Sequence, residues 1–119
     1  MRIDTQLQRS YNVIMENIIF EWDENKNRIN KAKHGIDFDE AKTVFYDGNA
    51  VLFDDPEHSM EEDRFLILGV SKYENLCIVS HCYRGGDNAI RIISARKATK
   101  NETKTYNRYA GGGVYEGRI

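Results

Sequence analysis

The sequence predicts a single α+β domain: a compact antiparallel β-sheet of about four to five strands, with two helices before the main run of strands and one after it. Three observations predict it. Short β-branched and aromatic segments recur between turn-forming residues, two strongly capped helical segments follow the first of them, and a capping-box signal follows the last. With 119 residues, 40% of them apolar and 11% aromatic, the chain can fill one modest core. A single proline, and no serine- or glycine-rich run before residue 111, leave no interior linker. Residues 1–17 are expected to form an extension, disordered or helical, 18–109 the domain, and 110–119 a flexible tail.

Taken in order, Ile18 to Trp22 (IIFEW) reads as a strand running into Asp23, a residue suited to capping a helix. From Asp23 to His34 the acidic residues come first and Lys31, Lys33 and His34 last, which matches the helix dipole, and Gly35 supplies a stop. This helix has little to bury beyond Ile29 and Ala32, so a broad face should meet solvent, a partner or a ligand. Asp37 opens a second helix with Glu40 as capping-box partner, and Phe38, Ala41, Val44 and Phe45 share its apolar face. Asp47-Gly48-Asn49 ends it, Ala50 to Phe53 reads as a strand, and the acidic stretch 54–63 as a solvated loop. Arg64 to Ser71, Leu76 to Arg84 and Ala89 to Arg96 then make two hairpins, and their nearly continuous apolar runs suit strands covered on both faces. Thr99 and Glu102 form a second capping box, opening a surface-lying C-terminal helix.

The formal charge of −2 hides an asymmetry: residues 1–63 hold 7 basic against 15 acidic side chains, residues 64–109 hold 9 against 3. The basic half can follow phosphates, because binding depends on local potential, or it can neutralise the acidic half within one folded body. Cys77 and Cys82 lie five apart in one strand, which suits reduced thiols better than a disulfide. Histidines 34, 58 and 81 lack ligand spacing, so no metal and no cofactor is expected. Without an apolar leader or a stretch long enough to cross a bilayer, a cytoplasmic protein with no membrane role is expected.

Candidate functional residues concentrate in the basic half. Metal-independent RNA cleavage needs an acceptor for the 2′-hydroxyl proton, a donor for the leaving 5′-oxygen, and cations for charge building on phosphate. His81 is a natural acid or base, with Arg84, Arg91 and Arg64 as phosphate clamps; these four form the expected catalytic set. Lys33, His34, Tyr83, Arg96, Lys97 and Tyr106 are the expected RNA contacts, the tyrosines by stacking. Each also has a structural reading: His81 as a core histidine, Arg91 or Arg96 paired to a carboxylate of the acidic half, Arg64 in a surface pair, and Lys33-His34 capping helix carbonyls. A regular strand puts Arg91 and Arg96 on opposite faces, unless a bulge or the strand's end reorients Arg96.

The run W-D-x-x-K-x-x-x-N-x-x-K-H-G from Trp22 to Gly35, the later F-x-x-A of Phe38 to Ala41, and I-R-I-I-S-A-R from Ile90 to Arg96 resemble the BrnT toxin family, with coverage from Ile18 to Tyr109. The resemblance implies a fold like that of RelE-type toxins and an endoribonuclease activity that blocks translation. It also implies a BrnA-like ribbon-helix-helix antitoxin bound as a 2:2 heterotetramer, with operator DNA held through the antitoxin and RNA, possible ribosome association included, as the toxin's target. A noncatalytic binding module is the alternative, and a neighbouring reading frame with a ribbon-helix-helix pattern separates the two.

Overall fold

The computed structural model describes residues 18–55, 63–84 and 88–110. The expected N-terminal extension, most of the acidic loop, the glycine turn and the tail lie outside the described residues. Along the chain run β1 (Ile19–Glu21), α1 (Glu24–His34), α2 (Phe38–Ala41) continued by a 3-10 helix (Lys42–Tyr46), β2 (Val51–Asp54), β3 (Phe65–Val70), β4 (Leu76–Arg84), β5 (Ala89–Lys97) and α3 (Lys100–Tyr109). The five strands form one sheet in the order β1-β5-β4-β3-β2. The α+β class and the two-plus-one helix count match expectation. The sheet is mixed rather than wholly antiparallel, however, because β1 pairs parallel to β5 with Glu21 opposite Arg91. Strand direction at that edge is set by how the intervening chain winds back, which a local pattern does not encode.

Helix α1 is fixed at both ends as its sequence dictates. The Asp23 carboxylate accepts from the N–H groups of Asn25 and Lys26, and Gly35 takes the left-handed conformation (φ 77°) while donating its N–H to Lys31. Its attachment to the body is less conventional. Ile29 is 58% exposed and Ala32 is exposed too, while Asn30 is the one buried residue of the helix. The Asn30 amide donates to the Ile36 and Ala95 carbonyls, both at 2.8 Å, and its oxygen accepts from the Ala95 N–H at 3.1 Å. Ala95 lies beyond the last β1–β5 pair, so the Asn30 side chain takes the place of the missing strand.

The second helix makes only one α-turn before tightening to 3-10 geometry, yet it buries Phe38, Ala41, Val44 and Phe45 as expected. Its capping box is half formed: Asp37 accepts from the Glu40 N–H, but the Glu40 carboxylate turns away to accept from Ser71 Oγ at 2.6 Å and Asn75 Nδ2 at 2.7 Å. Two better-placed donors on the β3–β4 turn outcompete the Asp37 N–H. The 3-10 segment presses so closely on β3 that a Cβ at Gly69 would stand 3.0 Å from both Val44 Cγ1 and Ala50 Cβ. At the other end of the chain the Thr99–Glu102 capping box is complete.

The sheet has two covered faces. On the helical face, Ile67, Cys77, Val79, Ile90, Ile92 and Ala95 pack under Ile36, Phe38, Ala41, Val44 and Phe45. On the other, Val51, Phe53, Leu68 and Ile78 pack with Tyr106 and Tyr109 of α3. Neither cysteine is in a disulfide and both are buried, and burial, with Glu40 nearby, pushes the Cys77 thiol up to about 12, so it stays protonated at neutral pH.

Candidate functional site

A β-bulge determines which side chains meet. Ser80 pairs with Ser94 but His81 pairs with Ile92, so Ile93 is an extra residue on β5. Buried residues on β5 accordingly fall at Ile90, Ile92 and Ala95. With one residue looped out, Arg91, Ser94 and Arg96 all share the face opposite the helical layer. The regular alternation expected from the sequence would have separated the two arginines; the bulge realigns them.

At one end of this face three charged side chains converge. The Glu21 carboxylate lies 3.4 Å from Arg91 Nη1 and 3.7 Å from Arg84 Nε. The register that places Glu21 opposite Arg91 also places Arg91 opposite Cys82, beside Arg84. All three side chains are between about one-third and one-half exposed, so a ligand can reach them. Glu21 is the residue that sequence reasoning missed; its only local signal is a carboxylate inside the first strand.

His81 stands elsewhere, and its burial corrects the expectation of an acid or base in favour of the core-histidine reading. It is fully buried on the helical face, with its ring edge-on to Phe45 (4.7 Å between centroids) and to Tyr83 (5.4 Å), and with Phe65 at 6.1 Å. Nδ1 lies 3.2 Å from the Val79 carbonyl, and among the described residues Nε2 has no partner. Burial lowers its pKa to about 4, so the ring is neutral. Since the unfolded chain binds this proton near pH 6.5 and the folded chain only near 4, stability should fall by roughly 3 kcal/mol as pH drops through that window. Denaturant titrations at pH 7, 5 and 4 check this, and His81→Leu should lose that share of the acid sensitivity.

Tyr83 is exposed beside His81, on the face away from the arginine cluster. Tyr106 is not a free stacking platform: its hydroxyl donates to Asp47 Oδ2 at 2.7 Å and its ring packs in the second core, burial and Asp47 together raising its pKa to about 12. Burial opposes ionisation of Asp47, but the Val70 N–H, the Tyr106 hydroxyl and the Asn49 N–H outweigh it and hold that carboxyl below its ordinary range. Tyr106→Phe should cost about 1 kcal/mol in a thermal melt, the worth of one ordinary hydrogen bond. Arg96 is held by Glu102 through two 2.9 Å bonds, so the carboxylate-paired reading applies to it, with a partner on α3 rather than in the acidic half. That bidentate bond also pulls the Glu102 carboxyl below its usual range. Lys97 is exposed opposite Cys77, on the helical side of the sheet. Arg64 is half-buried ahead of β3, where its carbonyl accepts from the Asp55 N–H. Lys33 is exposed and His34 half-buried at the α1 C-terminus, where the Lys31 carbonyl is capped by Gly35 rather than by either side chain.

His34 also lines a cleft of about 280 Å³ with Leu66, Ile78, Ser80, Ser94, Ala95 and Arg96. Among the described residues no group of three or more His, Cys, Asp or Glu side chains is placed to hold a metal ion, and no helix is long and apolar enough to cross a membrane.

A family model described as the ribonuclease toxin BrnT of type II toxin-antitoxin systems matches residues 22–102. Among solved structures, the crystal structure of the Brucella abortus ribonuclease toxin BrnT is similar, with 27% sequence identity and a TM-score of 0.55, covering 70% of this chain and 99% of that one. No curated protein matches. Since the family match takes in more than half of the sequence, the chain belongs to the BrnT family of ribonuclease toxins of type II toxin-antitoxin systems.

Proposed function

We propose that this chain is an endoribonuclease that cleaves RNA without a metal ion, with the Glu21–Arg84–Arg91 cluster as its reactive centre. The observation that carries the reading is one reachable carboxylate between two guanidinium groups on a sheet face. Glu21 accepts the proton of a ribose 2′-hydroxyl, and the 2′-oxygen attacks the adjacent phosphorus. The bond from phosphorus to the 5′-oxygen breaks, and that oxygen takes a proton from solvent. Products are a 2′,3′-cyclic phosphate and a 5′-hydroxyl. Arg84 and Arg91 offset the charge that grows on the non-bridging oxygens, a task for which the planar guanidinium is suited. Lys33 extends the contact along the RNA backbone, and His34 contacts the RNA beside it.

In the cell, cleavage lowers translation, and a BrnA-like ribbon-helix-helix antitoxin neutralises the toxin in a 2:2 complex that holds operator DNA through the antitoxin. The test is incubation of purified chain with RNA in EDTA. Cleavage leaving 2′,3′-cyclic phosphate ends is the expected result, while intact RNA with and without ribosomes rejects the enzymatic reading in favour of a binding module. Inducing the chain alone should arrest growth and depress protein synthesis, and co-expressing a neighbouring ribbon-helix-helix protein should restore both.

A further inference from the structure

We infer that the cleft between the end of α1 and strands β3–β5 is a nucleobase-reading pocket, which sets where the RNA is cut; this rests on the ribonuclease reading above. Ser80 and Ser94 stand opposite each other in the β4–β5 register and both line the cleft. Ser80 is only 9% exposed, and neither hydroxyl makes a side-chain hydrogen bond to any described residue. Both hydroxyls reach solvent through the cleft, since among the described residues the buried side-chain polar atom without a partner is His81 Nε2 and Ser94 is exposed. Two cross-strand hydroxyls at the rim of a cleft are open to a ligand as donors and acceptors.

The remaining lining narrows the chemistry of that ligand. Leu66 and Ile78 provide an apolar surface, and His34 contributes a ring with no side-chain hydrogen bond to a described residue. Arg96 is the one permanent cation of the lining, and its charge is already committed to Glu102 by two bonds. The cleft is therefore close to neutral, polar at its edge and apolar beneath. That suits a flat heteroaromatic base with hydrogen-bonding edges better than a phosphate, for which Arg84 and Arg91 are the better match. Hydroxyls both donate and accept, so two of them can read a base edge.

The position is right for such a role. Ser94 and Arg91 share a face and stand opposite Ser80 and Cys82, two residues apart on β4, about 7 Å at the ordinary strand rise. A base in the cleft thus lies a short RNA segment away from a phosphate at the arginine pair. The bulge is the feature that puts Ser94 of the cleft and Arg91 of the cluster on one face of the sheet.

Binding and cleavage can be read separately. Short 2′-O-methyl oligonucleotides of A, C, G and U, which cannot be cleaved, are titrated against the wild-type chain and against Ser80→Ala/Ser94→Ala, with thermal melts to establish that both are folded. The expected result is a preference of about tenfold or more for one base in the wild type that shrinks towards equality in the variant. On cleavable RNA, the variant should cut at a broadened set of sites. Equal affinity for all four bases in the wild type, or a preference unchanged in the variant, overturns the inference. Failure of the ribonuclease reading shows itself independently, as intact 2′-hydroxyl RNA.

Discussion

Replacing Arg91 with alanine should slow RNA cleavage by roughly 100- to 1,000-fold, the usual cost of removing one donor aimed at the charge of a transition state. The fold should survive the change. Arg91 is about one-third exposed and its contact with Glu21 is 3.4 Å long, so its loss costs at most about 1 kcal/mol of stability, the worth of an exposed ion pair. Nor does Glu21 become an orphaned buried charge, because it is itself 41% exposed and keeps Arg84. Glu21→Gln, which preserves shape and removes the proton acceptor, should reduce the rate by 100-fold or more while leaving RNA affinity nearly unchanged or improved, since a carboxylate repels phosphate. Arg84→Ala should act in the same direction as Arg91→Ala. His81→Leu is the contrasting variant: it alters the core and its acid sensitivity without touching the cluster, so a folded His81→Leu protein should still cleave. Measurement of single-turnover rates on a defined RNA decides the matter, and wild-type rates in both Arg91→Ala and Glu21→Gln would remove the cluster from the site.

Asn30→Ala should destabilise the protein by roughly 3–5 kcal/mol, because it leaves the Ala95 N–H and the Ala95 and Ile36 carbonyls without the partner that satisfies them in a buried place. Melting should fall by roughly 10–20 °C for a domain of this size. Asn30→Asp retains an acceptor for the Ala95 N–H but turns the donor into a second acceptor facing two carbonyls, so it should be damaging as well. Ile29→Glu, one residue earlier, should change stability by no more than about 0.5 kcal/mol, since Ile29 is 58% exposed. Urea titrations of the three variants check this ordering, which inverts what the residue types alone suggest. If Asn30→Ala matched the wild type, the side chain would not be the edge partner of β5.

Much of the architecture was legible along the chain, and the legible parts are local ones. Asp23, Gly35, Asp37 and the Thr99–Glu102 box satisfy backbone groups within a few residues of themselves, so residue type and spacing nearly suffice to place them. Strands β3, β4 and β5 follow from apolar runs cut by turn residues, and the signatures from Trp22 to Gly35 and Ile90 to Arg96 were enough to identify the family. Tertiary structure decided the rest. Glu21 meets Arg91 across 70 positions and Asn30 meets Ala95 across 65, separations over which no spacing rule operates. His81 looked like a catalytic group because its chemistry is right, but the layer under which β4 packs buries it and removes its charge. Likewise, Arg91 and Arg96 share a face because one residue of β5 bulges against its partner strand. Sequence by itself determined the elements, their caps and the family; the sheet determined which polar side chains stay in reach of solvent, because burial and strand pairing are properties of the whole packed body and not of any segment in it.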